Sequence, residues 1–391
     1  MIGPRLVAVV LAVGALETGA QTGAVAAPEA PEGGGKPSKK ALFKDPEDGA
    51  FDLGGWIATQ TGVIPILSPV TEPAVGYGAA LGLVLIHGGG LAGLREGPPG
   101  VTGRPVTPDI SAVAGAYTAN GTWAALAGHI GFWGGDRWRY KGAVGWISPR
   151  LDFYDSSGRA FGFNLDGFTV FQELLRRVGR TDLFLGGRFL YLDATTRFGG
   201  DSLPPDIPRP EFRTRDSGLG LVAEFDSRDN AFTPNRGVWV RASATFFGPY
   251  LGGDNVYQRY GVNTYAFANP TPRLVLGVTV RAQTGRGDVP FYALPFVRLR
   301  GVPVMRYSGE TAVSAEGEVR FGVTKRWWLV GFGGGGWTDA GAYRALADES
   351  VAAGGVGFRY LIARVLGLQM GLDVAKSPED WAIYVVFGSS W

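Results

Sequence analysis

The 391-residue sequence has no cysteine, only two histidines and only three methionines. Without cysteine there is no disulfide framework and no thiolate metal site. His87 and His129 are the whole supply of imidazole. No G-x-S-x-G elbow accompanies them, and His129 lies in Ala127-Gly128-His129-Ile130-Gly131 with no acid beside it in sequence. No enzymatic activity and no cofactor are expected, and no histidine or acidic cluster has the spacing of metal ligands. Gly331-Phe332-Gly333-Gly334-Gly335-Gly336 fits G-x-G-x-x-G formally, but it opens no helix and no βαβ unit follows, so it implies no nucleotide site. Net charge is also scarce: 37 basic against 35 acidic residues leave +2, which gives no reason to expect nucleic acid as a partner. No segment has the ~20 consecutive apolar residues of a membrane-spanning helix.

What is abundant is glycine (63 residues) and aromatic side chains (23 Phe, 14 Tyr, 11 Trp), the mixture of strand formers and bend residues found in β-barrels. Arg5, the apolar run from Leu6 to Leu16 and the small residues Ala24-Val25-Ala26 form a secretory signal peptide over 1–27. Residues 28–55, rich in Pro, Gly and Lys, read as a flexible periplasmic tail. From Trp56 to Trp391 an all-β, transmembrane antiparallel barrel of about sixteen strands is expected in the outer membrane. The strands fall near 56–69, 74–87, 109–118, 121–133, 136–155, 166–178, 181–197, 215–227, 237–248, 255–268, 272–284, 311–324, 326–340, 352–362, 364–375 and 381–391. In the stretch from Thr311, Ala312, Ser314, Glu316, Glu318 and Arg320 fall on one face, and Val313, Ala315, Gly317, Val319, Phe321 and Val323 on the other. Short connections alternate with long ones, as periplasmic turns alternate with outer loops. Residues 88–108 break that rule, being long on the periplasmic side. The closing strand places Trp381, Ile383, Val385, Phe387 and the terminal Trp391 on one face.

The stretch from Glu224 through Asp226-Ser227-Arg228-Asp229-Asn230 to Pro234 and Gly237 resembles the YDTRDN-x-F-x-P-x-x-G hairpin of the BamA/TamA family, the bacterial surface antigen superfamily of outer-membrane barrels. Leu299-Arg300-Gly301 is similar to that family's V-R-G-[YF] motif on an inward-folded outer loop, and Trp337-Thr338-Asp339 to its F-x-D motif. Val302 stands where the family has an aromatic residue, and Trp337 where it has Phe. The resemblance implies sixteen strands and machinery that inserts or translocates protein or lipid. The partners it implies are the outer-membrane bilayer, the assembly machinery during biogenesis and client proteins. Between the signal peptide and Trp56 there is room for no POTRA domain, so a barrel lacking POTRA modules is expected.

Three constellations follow as candidate sites. The first is a lumen latch of Arg300 and Gly301 with Glu316, Glu318 and Asp339, because an arginine carried into a lumen needs carboxylates; a solvated loop arginine is the alternative. The second is a periplasmic hairpin of Asp226, Arg228, Asp229, Asn230, Pro234 and Gly237, with turn chemistry and a structural role. The third is a weak seam where strand 1, carrying Pro65 and Pro69, meets the last strand, carrying Phe387 and Trp391. The prolines could equally end strand 1 early. A passive porin-like channel and a structural surface protein remain the competing functions.

Overall fold

The computed structural model describes residues 41–59, 63–87, 100–101, 108–199, 210–230, 232–343 and 345–391. Alternation at period two becomes strand after strand: β1 (Val63–Val70), β2 (Gly78–Ile86), β3 (Ile110–Thr118), β4 (Trp123–Trp133), β5 (Trp138–Ser148), β6 (Arg150–Tyr154), β7 (Ala160–Arg177), β8 (Leu183–Phe198) and β9 (Glu211–Asp226). The second half contributes β10 (Gly237–Phe247), β11 (Tyr257–Thr271), β12 (Leu274–Gly287), β13 (Thr311–Gly322), β14 (Trp327–Asp339), β15 (Glu349–Ala363), β16 (Leu368–Lys376) and β17 (Trp381–Phe387). Neighbours in sequence pair antiparallel all the way round, from Val63 opposite Leu85 to Met370 opposite Phe387. Strands β5 and β6 both pair with β7 and are one stave, interrupted at Pro149, which has no N–H to give the ladder. Seventeen segments therefore make sixteen staves.

Polarity is inverted relative to a water-soluble sheet. Leu67, Leu221, Val356 and Trp381 are 64–70% exposed, whereas Arg139, Glu173, Glu224, Arg300, Arg359 and Asp373 are at most 2% exposed. Lipid solvates such an outer wall. Tryptophans mark its height: Trp123 and Trp133 bound β4, Trp327 and Trp337 lie on the outward face of β14, and all four are exposed. Ten residues at ~3.3 Å rise, tilted by ~40°, span roughly 25 Å of membrane, the height of the apolar band of outer-membrane barrels. One end of the wall, the loop end, carries the β12–β13 connection. The other, the cap end, carries the N-terminal residues.

The β12–β13 connection does not stand in solvent. Its Tyr292, Leu294 and Phe296 are buried in one cluster with Leu165 of β7, Leu190 of β8 and Tyr257 of β11. Its Val297, Leu299, Val302 and Tyr307 pack together with Val351 of β15. The loop is thus a plug spanning the lumen, held by apolar burial on both sides.

Two expectations need correction. Residues 41–55 are no flexible tail; they form a compact cap followed by a short helix, α1 (Gly54–Thr59), in place of the start of strand 1. Phe43 packs between Phe51 (6.3 Å) and Trp56 (6.4 Å), and Lys44 bridges to Phe51 around the turn Asp45-Pro46-Glu47-Asp48-Gly49. Aspartate, proline and glycine in that order are turn chemistry, which the overall Pro/Gly/Lys content obscures. The signal peptide and residues 28–40 lie outside the described residues, as does most of 88–108; Val101, within that stretch, donates to the Gly135 carbonyl at the cap end.

Candidate functional site: a charged latch in the lumen

On β13 the even positions from Ala312 to Arg320 all face the lumen and are buried. Arg300, at the tip of the plug, meets them. Its Nε lies 2.8 Å from Glu316, and its Nη1 is 2.8 Å from both Glu318 and Asp373. The Arg300 backbone N–H also donates to Glu316, at 3.1 Å. The guanidinium lies 3.6 Å from the centre of the Phe332 ring, adding a cation–π contact. Arg359 of β15 donates to Asp373 (2.9 Å) and Arg320 pairs with Glu318 (3.5 Å). The cluster balances three guanidiniums, Arg300, Arg320 and Arg359, against three carboxylates, Glu316, Glu318 and Asp373. That balance lets so many charges be buried together.

Asp339 is not part of it. Its carboxylate accepts from the Gly341 N–H at the loop end, and Asp373 of β16 supplies the third acid instead. Asp373 is the sole acid in the expected strand 364–375, and that isolation is the signal the sequence carries for it. Glycines make the space. A Cβ on Gly336 would collide with Val297 of the plug, and one on Gly357 would collide with the Asp373 carboxylate. Gly301, at φ 93°, turns the tip and donates its N–H to the Tyr384 hydroxyl at 2.9 Å. Trp337 faces outward, and Thr338 rather than Trp337 points into the lumen.

The C-terminus joins the same cluster. After β17, Gly388 (φ 75°) turns the chain inward, and the Ser390 hydroxyl accepts from Arg300 (3.0 Å) and Arg359 (2.7 Å). The Trp391 indole N–H donates to Glu316 at 2.6 Å, and its ring packs on Phe267 of β11. Trp391 therefore does not continue the outward face of the last strand, on which Phe387 remains.

The Asp226–Gly237 hairpin is more than a turn. Asp226 and Arg228 form a buried bidentate pair (both 2.9 Å), and Asp229 accepts the Asn235 and Arg236 N–H groups. Asn230 reaches the Leu366 carbonyl (3.0 Å), Pro234 accepts from the lumen-facing Arg320, and Ser389 donates to the Phe232 carbonyl (2.6 Å). The hairpin thus leaves β9 and β10 and contacts β13, the β15–β16 turn and the C-terminal tail. Gly237, at φ 104°, lies so close to Ser227 and Arg228 that a Cβ would not fit.

At the junction of β1 and β17, among the described residues, no ladder joins the two strands, although every other adjacent pair of staves has one. Pro65 and Pro69 sit in β1 opposite Leu83 and Ala79 of β2, so β1 is an edge strand of the kind that tolerates proline.

The cap is fastened by charge. Arg326, in the β13–β14 turn, pairs with Asp45 (2.6 Å), Asp48 (2.7 Å) and Asp52 (2.7 Å), and Arg364 pairs with Asp45 (2.5 Å) and Glu47. The hydrogen bond from Arg326 pulls the Asp48 carboxyl down from its ordinary 3.8 to about 2. Among the described residues no group of three or more histidine, cysteine or acidic side chains is arranged to hold a metal ion.

Residues 187–296, from β8 into the plug, match the model of the Omp85 superfamily domain. This stretch contains the Asp226–Gly237 hairpin and stops short of Arg300. Among solved structures the barrel resembles BamA from Haemophilus ducreyi lacking POTRA domains 1–3, with a TM-score of 0.57 at 12% identity over 84% of this chain and 70% of that one. It also resembles CdiB from Acinetobacter baumannii (TM-score 0.55, 9% identity, 83% of this chain and 59% of that one) and CdiB from Escherichia coli (0.57, 12%, 83% and 61%). The chain spans about three fifths of the CdiB proteins it matches. At these identities the likeness establishes the fold, a sixteen-stave barrel. No curated protein matches in sequence.

Proposed function

We propose that the protein is an outer-membrane barrel that inserts or translocates client polypeptide or lipid through its wall, opening at the β1–β17 junction. The observation that carries this reading is the absence of a β1–β17 ladder in a barrel whose other staves are all paired. Each missing backbone hydrogen bond is a net ~1 kcal/mol, so this junction opens at far lower cost than any other. The Omp85 match and the likeness to BamA and CdiB support the same reading. A passive channel would instead need an open lumen, and residues 288–307 fill it. The test uses the cysteine-free background. Ile64→Cys and Val386→Cys, both at lumen-facing positions near the cap end of their strands, are introduced together, the barrel is reconstituted in liposomes, and the folding rate of an unfolded barrel client is followed by protease protection. Oxidation should abolish the acceleration and reduction should restore it. Equal rates in the locked and reduced barrels would refute opening at this junction.

A further inference from the structure

The two histidines, far apart in sequence, meet on the outer wall. His87 follows β2, His129 lies on β4, and both face outward across β3. Between them stands Ser111, directly opposite His129 in the β3–β4 register. His87 Nε2 and His129 Nδ1 each lie 2.9 Å from the one Ser111 Oγ, and the two imidazole centroids are 5.8 Å apart. A serine on the middle strand is small enough to let two rings from its neighbours converge above it. Its hydroxyl has a single proton, so one imidazole accepts while the other must donate.

We propose that His87 and His129 form a chelate for a divalent late-transition-metal cation at the cap-side edge of the membrane-facing wall. With each ring in the tautomer that frees the inward-pointing nitrogen, both lone pairs address the point now held by the serine hydroxyl. Metal–nitrogen bonds of ~2.0–2.1 Å require only small rotations of two side chains, of which His87 is exposed. Ser111 Oγ and water complete the coordination. Two imidazoles and oxygen donors suit Cu²⁺ best and Zn²⁺ or Ni²⁺ less well. Asp109, on the same face, is already engaged: its oxygens accept from the Phe132 N–H (2.7 Å) and the Trp133 indole (3.0 Å). That leaves two nitrogen donors, consistent with a micromolar rather than a structural site. Trp133 stacks on His129 at 6.5 Å, so a paramagnetic ion held there would quench it.

The test is a Cu²⁺ titration of the full chain in detergent micelles, purified without a histidine tag, read by tryptophan quenching and by equilibrium dialysis. Saturable uptake of one equivalent is expected. His87→Ala and His129→Ala should each weaken it by about tenfold or more, and the double variant should abolish it. Trp133→Phe should keep the uptake and lose most of the quenching. His129→Gln, which keeps a polar side chain on the wall, guards against misfolding and should behave as His129→Ala. Wild-type chain that takes up no copper below roughly 100 µM would overturn the proposal. So would undiminished uptake by the double variant.

Discussion

Replacing Arg300 by alanine tests the latch most directly. The side chain contacts Glu316, Glu318 and Asp373 and stacks on Phe332, and its loss turns a cluster of three cations and three carboxylates into one with two cations. Breaking a buried ion pair by removing one partner costs about 3–5 kcal/mol, because the remaining charge is stranded. Here that cost falls on the state with the plug in the lumen, and at 1.4 kcal/mol per decade it raises the plug-out population by about two to three and a half orders of magnitude. The readout is a single cysteine at Val302, which is 4% exposed, in a chain with no other cysteine. Its labelling by a membrane-impermeant maleimide measures the open fraction. Labelling should be slow with Arg300 and faster by roughly a hundredfold or more with Arg300→Ala. Arg300→Lys should fall between, since an ammonium cannot serve several carboxylates in a fixed fork. Equal labelling rates with and without Arg300 would mean that apolar burial alone holds the plug, and the latch would be discarded.

Other outcomes follow from the same geometry. Gly336→Val should displace Val297 and expose the plug to protease on intact cells, whereas Gly331→Ala, where a Cβ meets nothing, should be silent. Trp391→Ala should lower the temperature at which the barrel unfolds in detergent, because it removes the indole bond to Glu316 and the packing on Phe267, together ~1–3 kcal/mol. Asp48 is depressed in the docked cap, so its contribution is complete above its ordinary 3.8 and is lost as pH falls toward about 2. A dye on Ala50→Cys should report the cap undocking in that window, and Arg326→Ala should undock it at neutral pH.

The wall was legible in the sequence because period two is a local property. The alternation from Ala312 to Val323 names the inward and outward faces of β13 without reference to any other strand, and the strand count follows by repetition. Even the break at Pro149 left a single stave, as the unbroken expectation for 136–155 has it. The Arg300 tip was also legible, since a buried guanidinium demands acids and β13 offers two. The third acid was legible only through parity: Asp373 lies inward between the outward Leu372 and Val374, whereas Asp339 shares the outward face of Leu329 and Trp337. The stagger of the strands around the wall then sets Asp373 beside Arg300. The same holds for Trp391, which a strand pattern carries outward until Gly388 turns the chain into the lumen. The cap was hidden because its fastening, Arg326 to Asp45, Asp48 and Asp52, joins residues 274 to 281 positions apart. Periodicity along one strand determines which side of the wall a residue faces. Which residues meet across the lumen, or across a neighbouring strand as His87 and His129 do, depends on register and curvature, and those exist only once the strands have paired into the curved sheet.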